Sequence, residues 1–315
     1  MLRFIYSIIK CLLIVHNIII LFTVGDILIK KYKLVKNIKN IIICTLSILL
    51  IFLIRTCIVS STSKSNPKIM KVHFINVGQG DSILIQINNK NLIIDSGPKD
   101  NKSNLLKYLN KLNITSFDYV IATHPHEDHI GNMAYLINNY KISNFYAPKA
   151  LSTTTAFETM VEALVRKNLK INILKANIDT IDLGQDTLVE VFSPNLDTYE
   201  NLNNYSPIIK ITYKNTSFLF TGDAEKLVEN EVLNKNIKSD VLKVGHHGSS
   251  TSSSLDFIKT VSPSISVISV GKYNSYNHPN TNTLETLKNT IIYRTDLNNN
   301  IIIESDGINL KTSFK

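Results

Sequence analysis

The sequence predicts an α/β protein with two layered β-sheets covered by helices, preceded by membrane-spanning helices. Short β-rich runs alternate with helical runs after residue 68, which is typical of an α/β domain. Hairpins come first and mixed strand and helix units later, which favours two sheets with helices outside. Two long apolar runs before residue 60 indicate the membrane helices.

The N-terminal segment is predicted to be a membrane anchor over residues 1–63, followed by a linker at 64–68. Residues 41–59 are apolar apart from Arg55, which is near the end of the run and can reach the membrane interface. Residues 4–24 form the other predicted span. Three polar residues interrupt it, Lys10, His16 and Asn17. An interfacial or signal-like segment is the alternative for this first run.

The loop between the two apolar runs indicates the orientation of the chain. Residues 30–40 contain five Lys and no acidic residue, and positive loops stay on the cytoplasmic side. We therefore expect the membrane as a partner and the domain after residue 59 outside the cytoplasm. A cleaved secretory signal would also export the domain but would leave it untethered.

The charge and the cysteines are concentrated in the same segment. Of the 34 Lys and Arg residues eight lie in residues 1–63, with one of the 25 acidic residues, which leaves a net charge of +2 for the remainder. The basic balance therefore says little about a nucleic-acid surface. Because Cys11, Cys44 and Cys57 all precede residue 64, disulfides and thiol nucleophiles are excluded for the later domain.

The individual elements follow from local patterns. Short apolar or β-branched runs bounded by turn residues predict strands. These runs are Lys71–Val77, Ser82–Ile87, Leu92–Asp95, Tyr119–Thr123, Leu188–Phe192, Ile208–Tyr213, Ser217–Thr221, Asp240–Val244, Ile265–Val270 and Ile301–Glu304. Helical runs between them predict helices at Ser103–Leu112, Ile130–Asn139, Thr155–Asn168, Glu225–Asn234 and Asn282–Lys288.

One segment carries most of the chemical information. After an apolar strand, the sequence His-Pro-His-Glu-Asp-His at 124–129 places three His and two acidic residues within six positions. Imidazole and carboxylate groups are ligands of Zn²⁺ and similar ions. His124 and His126 can point at one metal ion from the end of the strand, and Asp128 and His129 can face a second point from the start of a helix. The segment predicts two adjacent metal ions.

Four other motifs accompany this segment in a fixed order. They are Asn-Val-Gly-Gln-Gly-Asp-Ser at 76–82, Leu-Ile-Ile-Asp-Ser-Gly at 92–97, Phe-Thr-Gly-Asp-Ala-Glu at 220–225 and Val-Gly-His-His-Gly-Ser at 244–249. With them the sequence resembles the metallo-β-lactamase superfamily of hydrolases over about residues 69–310. The resemblance is to the ComEC-type branch, which includes the hydrolase domain of competence DNA-uptake proteins and stand-alone relatives. It implies an αββα sandwich over residues 69–315.

The resemblance also implies roles for individual residues. Asp223 is expected to bridge two cations, Asp95 to orient the metal-binding loop, and Asp81 to lie near the site. One of His246 and His247 is expected to bind metal, with a preference for His246, which continues the end of a strand. The predicted ligands are His124, His126, Asp128, His129, Asp223, His246 and His247. Asp128 and His278 are predicted to act in catalysis.

A serine-rich string follows the two histidines. The hydroxyl and N–H groups of residues 248–254, with Ser249 and Ser250 first among them, can hold a phosphate group at a turn. A flexible serine linker is the alternative.

The sequence departs from the superfamily pattern in one place. Many members have another histidine ligand between the first cluster and Asp223, but residues 130–245 contain no His. Asn-Asn-Tyr-Ser-Pro stands there at 203–207. Three outcomes stay open: two ions bound weakly, a preference for Mn²⁺ over Zn²⁺, or a single ion bound firmly.

The sequence therefore predicts a membrane-anchored hydrolase that uses a metal-bound hydroxide, with two ions of Zn²⁺ or Mn²⁺. A phosphodiester is the expected substrate, in nucleic acid or in an envelope phosphoester. One alternative is a hydrolase of non-phosphate esters or lactones. The other is an accessory component of a DNA-uptake or envelope complex with little catalysis, which the intact His/Asp set disfavours.

Overall fold

The chain divides into two compact units, Met1–Asn66 and Pro67–Lys315. The structure, a computed structural model, describes four parts of them, residues 2–28, 43–52, 54 and 68–315. In the first unit, helix α1 covers Leu2–Leu28 and helix α2 covers residues 43–52.

The predicted membrane anchor is not shown by the described residues. The first predicted span, 4–24, lies within α1, but no helix in the described part of the chain is long and apolar enough to cross a membrane. The second predicted span, 41–59, is described only over part of its length. The lysine-rich loop 30–40 and residues 64–67 of the predicted linker lie outside the described residues.

The second unit contains two β-sheets, as the sequence predicts. The larger sheet has eight strands, β1 Met70–Phe74, β2 Ile83–Ile87, β3 Lys90–Ile94, β4 Ser116–Ile121, β5 Lys141–Ala147, β6 Ile171–Ile173, β13 Ile301–Ser305 and β14 Leu310–Phe314. The smaller sheet has six, β7 Thr187–Val191, β8 Ile209–Tyr213, β9 Thr216–Phe220, β10 Val241–Lys243, β11 Ile265–Ile268 and β12 Ile291–Arg294. In the larger sheet the order is β14-β13-β1-β2-β3-β4-β5-β6, and in the smaller sheet it is β12-β11-β10-β9-β8-β7.

Eight helices lie along the same unit. They are α3 Lys102–Lys111, α4 Glu127–Ile130, α5 Met133–Asn139, α6 Thr155–Arg166, α7 Lys226–Val232, α8 Leu255–Val261, α9 Thr281–Thr286 and α10 Thr295–Asn298. Apolar side chains of α3, α5 and α6 pack on the larger sheet. Those of α7, α8 and α9 pack on the smaller sheet.

The main core lies between the inner faces of the two sheets. Phe74 of β1 and Phe220 of β9 are both buried, with ring centroids 6.4 Å apart. Alternate residues of the inner strands join them in one apolar cluster, because successive side chains of a strand point to opposite faces. This sandwich holds the ends of β3, β4, β9 and β10 in fixed relation.

Several elements are missing from the sequence-based prediction. Strands β5, β6, β12 and β14 and helices α8 and α10 were not predicted. Most of these are short, and the residues of β6 are exposed, so their apolar pattern is weak. The helix predicted at Ile130–Asn139 corresponds to α5, and α4 was not predicted apart from its last residue. The two helices are separate because the main-chain N of Asn132 donates to the main-chain oxygen of Gly97 and to Oγ of Ser96 instead of to a carbonyl of α4.

Candidate metal centre

The loop after β4 is held by a buried carboxylate. Asp95 directly follows β3 and accepts hydrogen bonds from the main-chain N and the Oγ1 of Thr123, at 2.8 and 2.7 Å. It also accepts one from Nδ1 of His129, at 2.7 Å. Because this contact assigns the proton to Nδ1, the Nε2 lone pair of His129 is free to face a cation. Asp95 thus takes the orienting place that the sequence predicts for it.

His247 faces the same point from the smaller sheet. Its Nδ1 donates to the main-chain oxygen of Ser269 at 2.9 Å, which leaves its Nε2 as an acceptor. This Nε2 lies 3.3 Å from Nε2 of His129 and 3.1 Å from Oδ2 of Asp128. Two imidazole lone pairs at that separation need a proton or a cation between them.

Asp223 completes this group from the end of β9. Its Oδ2 lies 3.2 Å from Nε2 of His129 and 3.4 Å from Nε2 of His247. Its Oδ1 is buried and has no hydrogen-bond partner among the described residues. Asp128, His129, Asp223 and His247 offer ligand atoms that all lie within 4.8 Å of one another. This four-ligand site, with two nitrogen and two carboxylate donors, fits a divalent ion.

The charges around the four-ligand site favour a cation there. Burial works to lower the pKa of His129, but Asp223, Asp128 and Asp95 outweigh it and raise the pKa well above its usual value. Burial also works to lower the pKa of His247, but Asp223 and Asp128 outweigh it and raise this pKa to about 10. The same carboxylates would stabilise a divalent ion, and its binding would release the protons that these imidazoles otherwise hold.

A second point lies on the other side of Asp223. Nε2 of His124 is 2.9 Å from Nδ1 of His126 and 3.9 Å from Oδ2 of Asp223. The Nδ1 of His124 instead faces the hydroxyl groups of Thr123 and Ser206, at 3.1 and 3.2 Å. His124, with His126 and Asp223 on either side of its Nε2, could hold a second cation. We call these three residues the three-ligand site, and Asp223 lies between it and the four-ligand site.

Residues 203–207, in the part of the chain without histidine, form hydrogen bonds to the metal-binding loops. Ser206, within residues 203–207, accepts a hydrogen bond from the main-chain N of Asp223 at 3.1 Å and also contacts His124. Asn204 accepts one from the main-chain N of Glu225 at 3.2 Å. Ser206 in this segment thus holds two of the ligands, His124 and Asp223, in place.

A buried ion pair lies beneath His247. Nζ of Lys243 is 2.6 Å from Oδ2 of Asp81, and both side chains are 1% exposed. Oδ1 of Asp81 is 3.6 Å from Nδ1 of His247 and has no hydrogen-bond partner among the described residues. The sequence predicted Asp81 near the site but not Lys243. The available signal was a lysine inside the otherwise apolar strand Asp240–Val244.

Backbone geometry brings Asp81 to the metal-binding loop. Its main-chain N donates to the main-chain oxygen of Asp128 at 3.2 Å. The preceding residue, Gly80, has a φ of +148°, and a Cβ there would be 2.2 Å from that same oxygen. Only glycine allows this approach.

His246 and His278 form an outer layer. His246 places Nε2 3.7 Å from Oδ2 of Asp223 and Nδ1 3.1 Å from Oγ1 of Thr251, outside the group of four. The structure thus brings His247, rather than the preferred His246, into the four-ligand site. The ring of His278 is 5.7 Å from that of His246. Burial and the nearby His246 lower the pKa of His278 to about 4.

The serine-rich string uses much of its polarity internally. Ser249 is buried, its main-chain N donates to the oxygen of His246, and its Oγ lies 3.1 Å from Oγ1 of Thr251. The main-chain N–H groups of Ser253 and Ser254 donate to the buried Glu229. Ser250 is exposed. Phosphate binding by Ser249 and Ser250 stays a prediction.

Comparison with known proteins decides the family. Residues 75–272 match the family described as "Metallo-beta-lactamase superfamily". The chain belongs to the metallo-beta-lactamase superfamily. This membership confirms the resemblance stated from the sequence motifs and the two-sheet fold. Together with the His/Asp cluster, it makes the chain a metal-dependent hydrolase of this fold.

The similar curated proteins are competence and recombination proteins. ComE operon protein 3 of Bacillus subtilis is 32% identical over 253 residues, which are 73% of this chain and 32% of that protein. Recombination protein 2 of Haemophilus influenzae is 27% identical, over 69% of this chain and 26% of that protein. Competence protein ComA of Neisseria gonorrhoeae is 27% identical, over 64% and 27%. The chain spans about a third or less of these relatives.

Solved structures share the fold at low identity. The metallo-beta-lactamase fold protein YhfI from Bacillus subtilis has a TM-score of 0.53 and 14% identity, covering 76% of this chain and all of that one. CmlA, a diiron beta-hydroxylase from Streptomyces venezuelae, has a TM-score of 0.50 and 12% identity, covering 79% of this chain and 54% of that one. At such identities the likeness shows the fold alone.

Proposed function

We propose that this protein is a phosphodiesterase whose substrate is nucleic acid, with Zn²⁺ or Mn²⁺ at both sites. The observation that carries this proposal is the position of Asp223. Its carboxylate lies between His124 on one side and His129 and His247 on the other. One buried carboxylate can therefore hold two cations close together, which suits a phosphoryl group with several charged oxygens.

The residues divide the work at such a centre. When bound, the metal ions lower the pKa of water to about 7 and offset negative charge on phosphoryl oxygens. His129 and His247 would hold one ion and His124 and His126 the other, and Asp128 would add a carboxylate to the first. Asp128 is the most exposed ligand of the four-ligand site, at 32%, so its carboxylate can also accept a proton from water on the open side.

His278 is suited to contacting the substrate. Its ring is 5.7 Å from that of His246, and its Nδ1 is 3.5 Å from Nε2 of Gln79. With its pKa lowered to about 4 by burial and by His246, its imidazole is neutral at pH 7. A neutral imidazole can donate one N–H hydrogen bond to a phosphoryl or leaving-group oxygen. We assign His278 this role.

The number of ligands supports a proposal for the metal identity. The three-ligand site has only two nitrogen donors and the shared Asp223, and Ser206 beside them supplies no imidazole. Fewer imidazole donors weaken the preference for Zn²⁺ and favour harder ions such as Mn²⁺. We expect weaker binding there than at the four-ligand site.

The choice of nucleic acid is supported by the relatives. The curated proteins it resembles are named for competence and recombination. This chain covers about a third or less of each relative, so nucleic acid as its substrate is a proposal.

The test measures metal content and hydrolysis on the purified full-length chain. We expect bound Zn²⁺ or Mn²⁺ by elemental analysis, and metal-dependent cleavage of bis(p-nitrophenyl) phosphate and single-stranded DNA. Asp223→Asn and His126→Ala should each lose at least about 100-fold in activity, because the first removes the negative charge between the two sites and the second removes an imidazole donor. Asp182→Asn, which changes an exposed carboxylate, is the matched control and should cleave like the wild type.

Each result has a defined meaning. Bound metal without phosphodiester cleavage would indicate that the substrate is another ester or a lactone. If Asp223→Asn cleaved as fast as Asp182→Asn, the metal centre would not be the catalytic site. If the wild type bound no metal and cleaved nothing, an accessory role in a DNA-uptake or envelope complex would replace the proposal.

We further propose that the hydrolase domain is attached to a membrane and lies outside the cytoplasm. Support comes only from the sequence, from the apolar runs 4–24 and 41–59 and the lysine-rich loop between them. Fractionation of cells that express the full-length chain tests attachment. Protease treatment of intact spheroplasts tests the side, and protection of the domain would contradict it.

A further inference from the structure

Two exposed tyrosines lie on the loop that carries His278. This loop, residues 271–278, follows β11 and precedes α9. Tyr273 is 92% exposed and Tyr276 is 66% exposed. Single exposed apolar side chains are normal on a protein surface. Here two exposed aromatic rings lie three residues apart on one loop beside the metal centre, which indicates that the loop has a function.

The backbone of this loop is fixed by one side chain. Nδ2 of Asn274 donates to the main-chain oxygens of Gly271 and His278, at 2.9 and 2.7 Å. Its Oδ1 accepts from the main-chain N of Tyr276 and of His278, at 3.2 and 3.0 Å. The side chain of Gln79 accepts from the main-chain N of Gly271 at 3.0 Å. Aromatic rings on such a backbone can bind a ligand with little loss of conformational entropy.

A row of rings connects the loop to the metal ligands. The ring of Tyr276 stacks on that of His278, at 24° and 5.7 Å between centroids. The His278 ring is 5.7 Å from that of His246, whose Nε2 is 3.7 Å from Asp223. Tyr276 is therefore only two rings away from the carboxylate that lies between the two sites.

The loop also carries a positive charge. Nζ of Lys272 is 5.1 Å from the centre of the Tyr273 ring. No ion pair of Lys272 is present within the described parts of the chain. A free ammonium group next to exposed rings suits a ligand with both phosphate and aromatic groups.

We propose that Tyr273 and Tyr276 form a stacking surface for an unpaired nucleobase next to the phosphodiester at the metal centre. The inference rests on the proposed phosphodiesterase function and deepens it. Every base has an aromatic face, so stacking is tolerant of sequence. In a duplex both faces are already covered by neighbouring pairs. The surface therefore selects single strands over duplexes, and nucleic acid over phosphodiester polymers without bases.

The test measures binding without catalysis. Fluorescence anisotropy compares the binding of two labelled probes to the metal-loaded full-length chain. The probes are dT20 and a strand of the same length whose residues are abasic, both with phosphorothioate linkages that resist hydrolysis. Tyr273→Ala/Tyr276→Ala should bind dT20 about tenfold or more weakly, since a base stack contributes roughly a fivefold or larger factor. Its affinity for the abasic strand should not change.

Two matched variants show that the rings are responsible. Tyr273→Phe/Tyr276→Phe keeps both faces and should bind dT20 like the wild type. Ile308→Ala removes another exposed apolar side chain, 71% exposed, from the turn between β13 and β14 and should also have no effect. Thermal unfolding of each variant should match the wild type, because the altered side chains are exposed.

Two results would overturn the inference. One is an unchanged affinity of the double alanine variant for dT20. The other is an equal loss for dT20 and the abasic strand. Neither depends on hydrolysis, so failure of the proposed function is recognised separately, as an absence of metal-dependent phosphodiester cleavage by the wild type.

Discussion

Three of the metal-facing imidazoles have their second nitrogen held by an oxygen atom. His129 contacts Asp95, His247 contacts the main-chain oxygen of Ser269, and His124 contacts Thr123 and Ser206. For His129 and His247 the partner only accepts, so the contact fixes which nitrogen carries the proton. In all three the contact fixes where the other nitrogen points. The direction of each ligand is thus set by residues that touch no substrate.

The carboxylate of Asp95 provides a test at this scale. In Asp95→Asn the side chain loses the charge that favours the His129 orientation and can present an NH₂ group to Thr123 or His129. We expect metal affinity to fall about 10- to 100-fold, as is typical when such a partner of a ligand is changed. Competition with a chromogenic chelator measures it. Asp118→Asn, whose carboxylate accepts a hydrogen bond from the main-chain N of Asn91, should keep wild-type affinity.

The buried pair of Lys243 and Asp81 provides a second test. Lys243→Met leaves the Asp81 carboxylate buried without its partner, which should lower the free energy of unfolding by about 3–5 kcal/mol. Lys210→Met is the matched control, because Lys210 is also buried but donates to the main-chain oxygen of Asn236. Urea unfolding measures both. The double variant Asp81→Asn/Lys243→Met should recover most of the stability, and no recovery would contradict a role for the pair.

At the scale of elements, the residues of the metal centre follow the carboxyl ends of parallel strands. Asp95 follows β3, His124 follows β4, Asp223 follows β9 and His247 follows β10. β3 and β4 are parallel neighbours, as are β9 and β10, so their carboxyl ends meet at one edge of each sheet. Loops at such an edge can carry polar ligands while the strands hold them in place.

A histidine within β1 gives this element a pH dependence that is independent of the metal. His73 is buried, with Nδ1 2.9 Å from the hydroxyl of Tyr108. Burial, and then the charge of Lys71, lower its pKa from 6.5 to about 4. As the pH falls below 6.5 the unfolded chain takes up this proton and the folded chain does not, so stability is lost between pH 6.5 and 4.

Replacing this histidine should remove that loss. From pH 7 to pH 5 the wild type should lose about 2 kcal/mol more free energy of unfolding than His73→Gln, measured by urea unfolding at both pH values. Tyr108→Phe keeps the titrating histidine and should retain the steeper dependence. Equal pH slopes for the wild type and His73→Gln would contradict the assignment.

At the scale of the whole molecule, the metal centre concentrates negative charge inside the fold. Asp81, Asp95 and Asp223 are fully buried and Asp128 is partly exposed. Lys243 pairs with Asp81. Carboxylates that are close together repel one another unless cations are bound. Metal binding should therefore stabilise the folded protein as well as activate it.

Chelation tests this coupling. An ion present at about 100 times its dissociation constant adds about 2.7 kcal/mol to the stability of the folded state. For a domain of this size, removal by EDTA should lower Tm by about 5–10 °C. Differential scanning calorimetry with and without added Mn²⁺ or Zn²⁺ measures the shift. Asp223→Asn should show a much smaller one, and an equal shift would place the stabilising ions elsewhere.

The sequence alone predicts those features whose signals are local. Residues 124–129 form a dense cluster of ligands directly after an apolar strand, so a metal site and a strand-to-loop junction can be recognised without a structure. The hairpins of β1, β2 and β3 are likewise readable from their apolar runs and turn residues. Short strands such as β6 are not, since three exposed residues pair only because β5 is already in place.

Tertiary structure decided what depends on distant partners. The sequence left open which of His246 and His247 binds metal, because the two residues are adjacent and follow the same strand. Only the fold brings Ser269 within reach of one ring and Thr251 within reach of the other. The roles of Lys243 and Ser206 depend on side chains far away in the chain. A sequence determines which chemical groups are present and in which order, and packing of the two sheets determines which of them meet at a metal ion.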